Sequence, residues 1–205
     1  MWQCGPTRSP AGPWPWSGSA VRRRHPVTAQ AKRRGLVIVN TGNGKGKTTA
    51  ALGILMRAWG RGMRVVMLQW VKHKTGNWGE IRAAKKMGVE IIPMGAGFTW
   101  IPKANPDTDA RLAREAWTLA REKILSDAYD VVILDEITYA LNYGWVDLDE
   151  VLDVLRNRPH RLHVVLTGRD APQPLIDFAD LVTEMRLIKH PYRDQGIPAQ
   201  PGIEF

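Results

Sequence analysis

Leu36-Val37-Ile38-Val39-Asn40-Thr41-Gly42-Asn43-Gly44-Lys45-Gly46-Lys47-Thr48-Thr49 is the stretch on which the reading of this chain turns. A β-branched apolar run feeds a glycine-rich turn, and Gly-Lys-Thr-Thr then opens an alanine- and leucine-rich segment. Strand, loop and helix in that order are the setting that gives a P-loop its meaning. Gly42, Gly44 and Gly46 let successive N–H groups converge without Cβ interference, forming a nest for phosphate oxygens at the positive end of a helix. Asn43, Lys45 and Thr49 complete the nucleotide-binding stretch. Lys47 is expected at the terminal phosphates of a nucleotide, and the Thr48 hydroxyl on a magnesium ion. The usual spacing G-x-x-x-x-G-K-[ST] puts its first glycine at position 41. Here that residue is Thr41, and the glycine comes one step late. A glycine-rich hairpin with a chance lysine would share this composition, but no second strand follows immediately.

The 205 residues suit one α/β domain with a substantial core. No run of 18 apolar residues occurs, so no membrane-spanning segment is expected. The single cysteine, Cys4, cannot form an internal disulfide, which favours a reducing compartment such as the cytoplasm. The net charge of +9 points to nucleic acid only until it is located. Residues 1–34 hold Arg8, Arg22, Arg23, Arg24, Lys32, Arg33 and Arg34 with no acid, so seven of the nine charges lie there. The near-neutral remainder argues against a nucleic-acid partner. Residues 1–34 are rich in Pro, Gly, Ser and Arg and are expected to be a disordered basic extension to a folded domain over 35–205. Trp2, Trp14 and Trp16 among the prolines are unusual for such a tail. Without a continuous apolar stretch it does not read as a secretory signal; a transit peptide and translated upstream sequence both fit its composition.

From Leu36 onward apolar runs alternate with helical patterns, the mark of βαβ units and a parallel sheet. Strands are expected at Leu36–Asn40, Arg64–Gln69, Val89–Pro93, Val131–Leu134, Leu162–Leu166 and Leu181–Met185. Helices are expected from Gly46 to about Arg61, over Glu80–Met87, from about Thr108 to Leu125, near Leu148–Asn157 and near Pro174–Phe178. The predicted architecture is a P-loop NTPase (RecA-like) three-layer α/β fold around a mostly parallel sheet of about six strands. Residues 189–205, with three prolines, are expected to wrap the surface.

Val131-Val132-Ile133-Leu134-Asp135-Glu136 is an apolar strand ending in two acids. A buried strand carries no carboxylates at its tip unless a cation or polar ligand waits there. Beside the P-loop, Asp135 or Glu136 would complete a magnesium shell with Thr48, directly or through water; capping of the next helix by Asp135 is the plainer alternative. Leu166-Thr167-Gly168-Arg169 ends another strand at the same edge, where parallel sheets bind ligands. Arg169 is therefore placed to touch phosphate, which arginine fits bidentately; a solvated turn is the competing role. Arg57, well inside the first helix, fits a surface role as well as a ligand contact. Gly95-Ala96-Gly97-Phe98-Thr99-Trp100-Ile101-Pro102 also follows a strand. Phe98 and Trp100 on that loop suit a cover for the core or a subunit contact, and less readily a platform for a planar ligand. Lys72, Lys74, Arg82, Lys85 and Lys86 read as a solvated basic face rather than a nucleic-acid site. Outside the leader the only serine is Ser126, which leaves no serine-nucleophile elbow. His160 and His163 lack a Cys or acidic partner for zinc.

Taken together, Asn40 to Ala51, Gly97-Phe98-Thr99-Trp100, Leu134-Asp135-Glu136-Ile137-Thr138-Tyr139, Thr167-Gly168-Arg169, Lys189-His190-Pro191 and the closing Gly196 to Phe205 resemble the P-loop-type ATP:corrinoid adenosyltransferases. The resemblance covers about Arg34 to Phe205, and the late glycine is a feature of that family. It implies a transferase that moves the 5′-deoxyadenosyl group of ATP to Co(I) of a corrinoid and releases triphosphate, in adenosylcobalamin biosynthesis or salvage. It implies ATP lying in the P-loop in reversed direction. Thr48 and Glu136 are then the magnesium ligands, and Lys47, the loop amides and Arg169 meet the triphosphate, with Arg57 at the nucleotide. Gly97, Phe98 and Trp100 lie under the corrin ring, where the aromatics exclude an axial water and ease reduction. A flavin-containing reductant and a homodimer also follow from the resemblance, which adds a third candidate role for residues 1–34, a segment covering a bound ligand, to the two that their composition fits. The main alternative is a RecA-like ATPase in which Glu136 activates water. A small-molecule kinase would need an acceptor base and a lid, neither of which is identifiable, and the magnesium set disfavours a non-catalytic module.

Overall fold

The computed structural model describes residues 33–73, 75, 76, 78–95 and 106–204. Side chains alternate across a strand, and that alternation in β1 (Val37–Thr41) sets the layering: Val37 and Val39 pack into one core and Ile38 into another. Both faces of the sheet are therefore covered, as a parallel sheet requires. α1 (Lys47–Trp59) lies on one face, burying Ala51, Leu55 and Ala58 against Ile38, Met67, Ile133 and Val165. On the other face α3 (Pro106–Leu125) and α5 (Leu148–Arg156) pack against the opposite side of the same strands. α3 contributes Ala113, Ala116, Trp117, Ala120 and Ile124, the helical spacing read from the sequence. α5 is capped by Asp147, whose carboxylate accepts from the N–H groups of Asp149 and Glu150 at 2.7 and 3.1 Å.

The other strands are β2 (Val65–His73), β3 (Glu90–Gly95), β4 (Val131–Asp135), β5 (His163–Thr167) and β6 (Leu181–Glu184). Among the described residues the sheet is six-stranded, in the order β3-β2-β4-β5-β1-β6, and every pairing is parallel, where a mostly parallel sheet was expected. Residues 33–205 form one unit.

Three local readings are corrected. β2 runs on to His73, four residues beyond the expected end, so Lys72 belongs to a strand and not to the solvated basic face. The basic helix itself is α2 (Gly79–Met87). Directly after the acid pair, α4 (Ile137–Asn142) forms where no helix was read, because Thr138 and Tyr139 break the apolar pattern over so short a span. Beyond α6 (Gln173–Phe178), the tail contains a single turn of helix, α7 (Pro191–Gln195), capped by the His190 ring, which accepts from the N–H groups of Tyr192 and Arg193.

Candidate active site

All four strand-end segments that carry candidate chemistry leave the same edge of the sheet, because parallel strands share a direction. The loop after β1 begins with Gly42 at φ 94° and ends with Gly46 at φ 111°, conformations that a side chain rarely tolerates. A Cβ on Gly42 or Gly44 would lie 2.6 Å from the Met185 carbonyl. The glycines thus serve a close approach to the end of β6 as well as a phosphate nest. That approach is fastened by the Gly44 N–H, which donates to the Met185 carbonyl at 2.6 Å. Gly46 is the N-cap of α1 and supplies no side-chain cap, so the first-turn amides of the helix are not satisfied by a cap. Lys47 is buried, and its ammonium donates to the carbonyls of Gly42 and Gly44 at 2.8 and 2.7 Å. Burial pushes its pKa down, and the nearby Glu136 charge offsets part of that. At the rim, the Lys45 ammonium pairs with Glu204 at 2.6 Å, tying the C-terminal segment to the loop. Thr48 is half-buried and Thr49 exposed in the first turn of α1, and Asn43 is exposed on the loop before it.

The two acids differ. Asp135 is 1% exposed, and both its oxygens are engaged: one accepts from the Thr167 hydroxyl at 2.8 Å, the other from the Gln69 amide at 3.2 Å. Gln69 stands directly opposite Asp135 in the β2–β4 register. Glu136 sits in the left-handed region at φ 63° and opens α4, backbone strain of a kind that clusters at functional sites. Its Oε2 is buried and has no hydrogen-bond partner. Burial, reinforced by the neighbouring Asp135, raises the Glu136 pKa to about 7, while Lys47, Arg169 and Lys72 pull it back. A buried carboxylate oxygen without a donor is what a bound cation would satisfy. Magnesium takes oxygen ligands and retains water, so Glu136 and Thr48 with phosphate oxygens make a suitable set. No group of three or more His, Cys, Asp or Glu placed for a metal occurs among the described residues.

Arg169 follows β5 on a turn in which Gly168 has φ 141° and Asp170 φ 50°. A Cβ on Gly168 would overlap the buried Thr138 hydroxyl, so glycine is what lets this turn press against α4. The charge of Arg169 is felt at both Lys47 and Glu136. These residues therefore form one cluster at the ends of β1, β4 and β5.

Arg57 is not brought to that cluster. It is exposed in the last turn of α1, ten residues and about 15 Å along the axis from Lys47. From there it could meet only a part of the nucleotide remote from the loop. Gly97, Phe98 and Trp100 lie outside the described residues. Their loop leaves the end of β3, whose last residue, Gly95, lies so close to β2 that a Cβ would run into the Trp70 carbonyl. β3 is two strand spacings from β4, roughly 10 Å from the acid pair.

Sequence reasoning missed Lys72. It lies on the overhang of β2 beyond Gln69, half-buried, ion-paired with Glu80 and 4.8 Å from the Trp78 ring centroid. Burial lowers its pKa and the charges of Asp135 and Glu136 raise it, so it is a cation of the site and not of the surface. The readable signal was Gln69: a polar residue inside an apolar strand needs a buried partner, which places the strand end beside the acids.

The model of the family described as ATP:corrinoid adenosyltransferase BtuR/CobO/CobP matches residues 33–205. The corrinoid adenosyltransferase of Escherichia coli (strain K12) is 42% identical over 180 residues, covering 86% of this chain and 89% of that protein. The corrinoid adenosyltransferase CobA of Salmonella typhimurium (strain LT2) is 41% identical over 181 residues, covering 87% and 90%. Among solved structures, the flagellar accessory protein FlaH from Methanocaldococcus jannaschii superposes with a TM-score of 0.52 at 11% identity, over 74% of this chain and 71% of that one. At that identity the likeness speaks to the fold alone.

Proposed function

Since the chain belongs to the ATP:corrinoid adenosyltransferases, we propose that it transfers the 5′-deoxyadenosyl group of ATP to the Co(I) centre of a corrinoid. The cobalt electron pair becomes the cobalt–carbon bond, and the C5′–O pair leaves on inorganic triphosphate. No proton has to move, so no side chain is needed as a general base. What the protein must do is hold the two reactants in line and stabilise charge on the departing phosphates. The observation that carries this reading is the family match over residues 33–205, which takes in the P-loop, the acid pair, the Arg169 turn and the strand leading to Phe98 and Trp100. It disfavours the ATPase alternative.

In this reading Gly42 to Thr49 hold the triphosphate through loop amides, Lys47 and the first turn of α1. Lys47 is preorganised by the Gly42 and Gly44 carbonyls, so little ordering remains when phosphate arrives. Arg169 meets the triphosphate from the β5 side. Glu136 and Thr48 would hold magnesium, with Asp135 fixed behind them by Thr167 and Gln69. When bound, the ion neutralises phosphate charge as the leaving group departs. Gly97, Phe98 and Trp100 would meet the corrinoid, and the aromatics would exclude the water that stabilises Co(II) against reduction. Arg57 is left out of the phosphate set because of its position. A flavin-containing donor supplies the electron, the enzyme works as a cytoplasmic homodimer, and residues 35–205 are the catalytic domain, with 1–34 a basic extension.

The test is incubation with ATP, magnesium and pre-reduced cobalamin. Absorbance should report cobalt–carbon bond formation, with triphosphate accumulating in equal amount. Release of phosphate and ADP without alkylated cobalt would replace the proposal with nucleotide hydrolysis.

A further inference from the structure

Thr41 stands where the common P-loop spacing has glycine, and its side chain has a specific partner. The residue is 7% exposed at the end of β1, and its hydroxyl oxygen accepts from the Ala171 N–H at 3.1 Å. Glycine cannot make this bond. The segment it holds, Thr167 to Ala171, is the turn that carries Arg169. The turn has other ties. The Gly168 N–H donates to the Asn40 carbonyl at 3.2 Å. From α4, the Asn142 side-chain amide donates to the carbonyls of Arg169 and Asp170 at 3.3 and 3.1 Å. A turn with two residues at positive φ does not hold itself together by regular backbone pairing, so these ties define where Arg169 starts.

We propose that Thr41 and Asn142 are positioning residues for Arg169, with Thr41 coupling the base of the phosphate loop to the arginine turn so that both halves of the phosphate site keep one geometry. This rests on the reading that Arg169 touches the leaving triphosphate. The departure from the common motif then has a physical use: the glycine is displaced by one residue, and the vacated position supplies an acceptor for the neighbouring turn. Asn142 performs the same task from α4, through donors instead of an acceptor.

The test is a double-mutant cycle on the full chain, measuring kcat and KM for ATP with excess pre-reduced cobalamin. Thr41→Val keeps the shape and removes the acceptor, and should lower kcat/KM about tenfold, mainly in kcat, because charge builds on the phosphates in the transition state. Thr41→Ser should stay within about twofold of the parent. In an Arg169→Ala background, Thr41→Val and Asn142→Ala should each change kcat/KM by less than about twofold, whereas a merely structural effect on the urea midpoint persists in both backgrounds. If Arg169→Ala is impaired and Thr41→Val still exacts its full loss on top, the positioning role is overturned while the phosphate reading stands. If Arg169→Ala turns over at the parental rate, both fall. Should Thr41→Val fail to fold, Asn142→Ala, on an exposed side chain, completes the cycle with the same outcomes.

Discussion

Replacing Glu136 with glutamine should make the ligand-free protein more stable while removing its activity. The carboxyl is buried, one oxygen lacks a partner, and its pKa is raised from 4.5 to about 7 by burial and Asp135. Between those values the folded chain keeps the proton and the unfolded chain releases it, so stability falls as pH rises through this interval. Below about 4.5 both states are protonated and the contribution is intact; above about 7 it is lost. At 1.36 kcal/mol per pKa unit, the shift from 4.5 to about 7 corresponds to roughly 3 kcal/mol at pH 8. Glutamine has the same shape and no charge to desolvate, so Glu136→Gln should gain up to that amount at pH 8 and almost nothing at pH 4.5. The assay is urea unfolding of both proteins in chelator at the two pH values. Adenosyl transfer by the variant should drop at least about a hundredfold, the usual scale for losing a preorganised electrostatic group. Equal stability of the two proteins at pH 8 would refute the argument that this carboxylate is held at a cost.

Lys47→Ala should abolish ATP-dependent adenosylation, since the leaving triphosphate loses its main protein cation; near-normal turnover would remove Lys47 from the mechanism. Phe98→Ala and Trp100→Ala should slow mainly the cobalt +2 to +1 step, so pre-reduced corrinoid restores most of the rate; failure of that rescue assigns the aromatics another role. Gly168→Ala should destabilise the fold by at least about 2 kcal/mol in urea titration, because a methyl group there meets the buried Thr138 side chain at a backbone φ of 141°. A change below about 0.5 kcal/mol would show that the turn and α4 separate easily.

Local pattern alone determined that this is a parallel α/β fold with a phosphate loop after its first strand. The run Leu36 to Thr49 holds strand, turn and helix in 14 consecutive residues, and Val131 to Glu136 announces an acid-tipped buried strand in six. Such signals survive because each depends on neighbours in sequence. The sequence could not show which acid is free. That depends on Gln69 and Thr167, 66 and 32 residues from Asp135 along the chain, which engage it across the sheet and leave Glu136 Oε2 without a partner. Nor could it show that Lys72 is a half-buried cation beside the acids, since a lysine among polar residues looks solvated until a strand carries it past the sheet edge. Thr41 makes the same point in one residue. Its identity looked like a flaw in a motif, and only the return of the chain 130 residues later gives its hydroxyl something to hold.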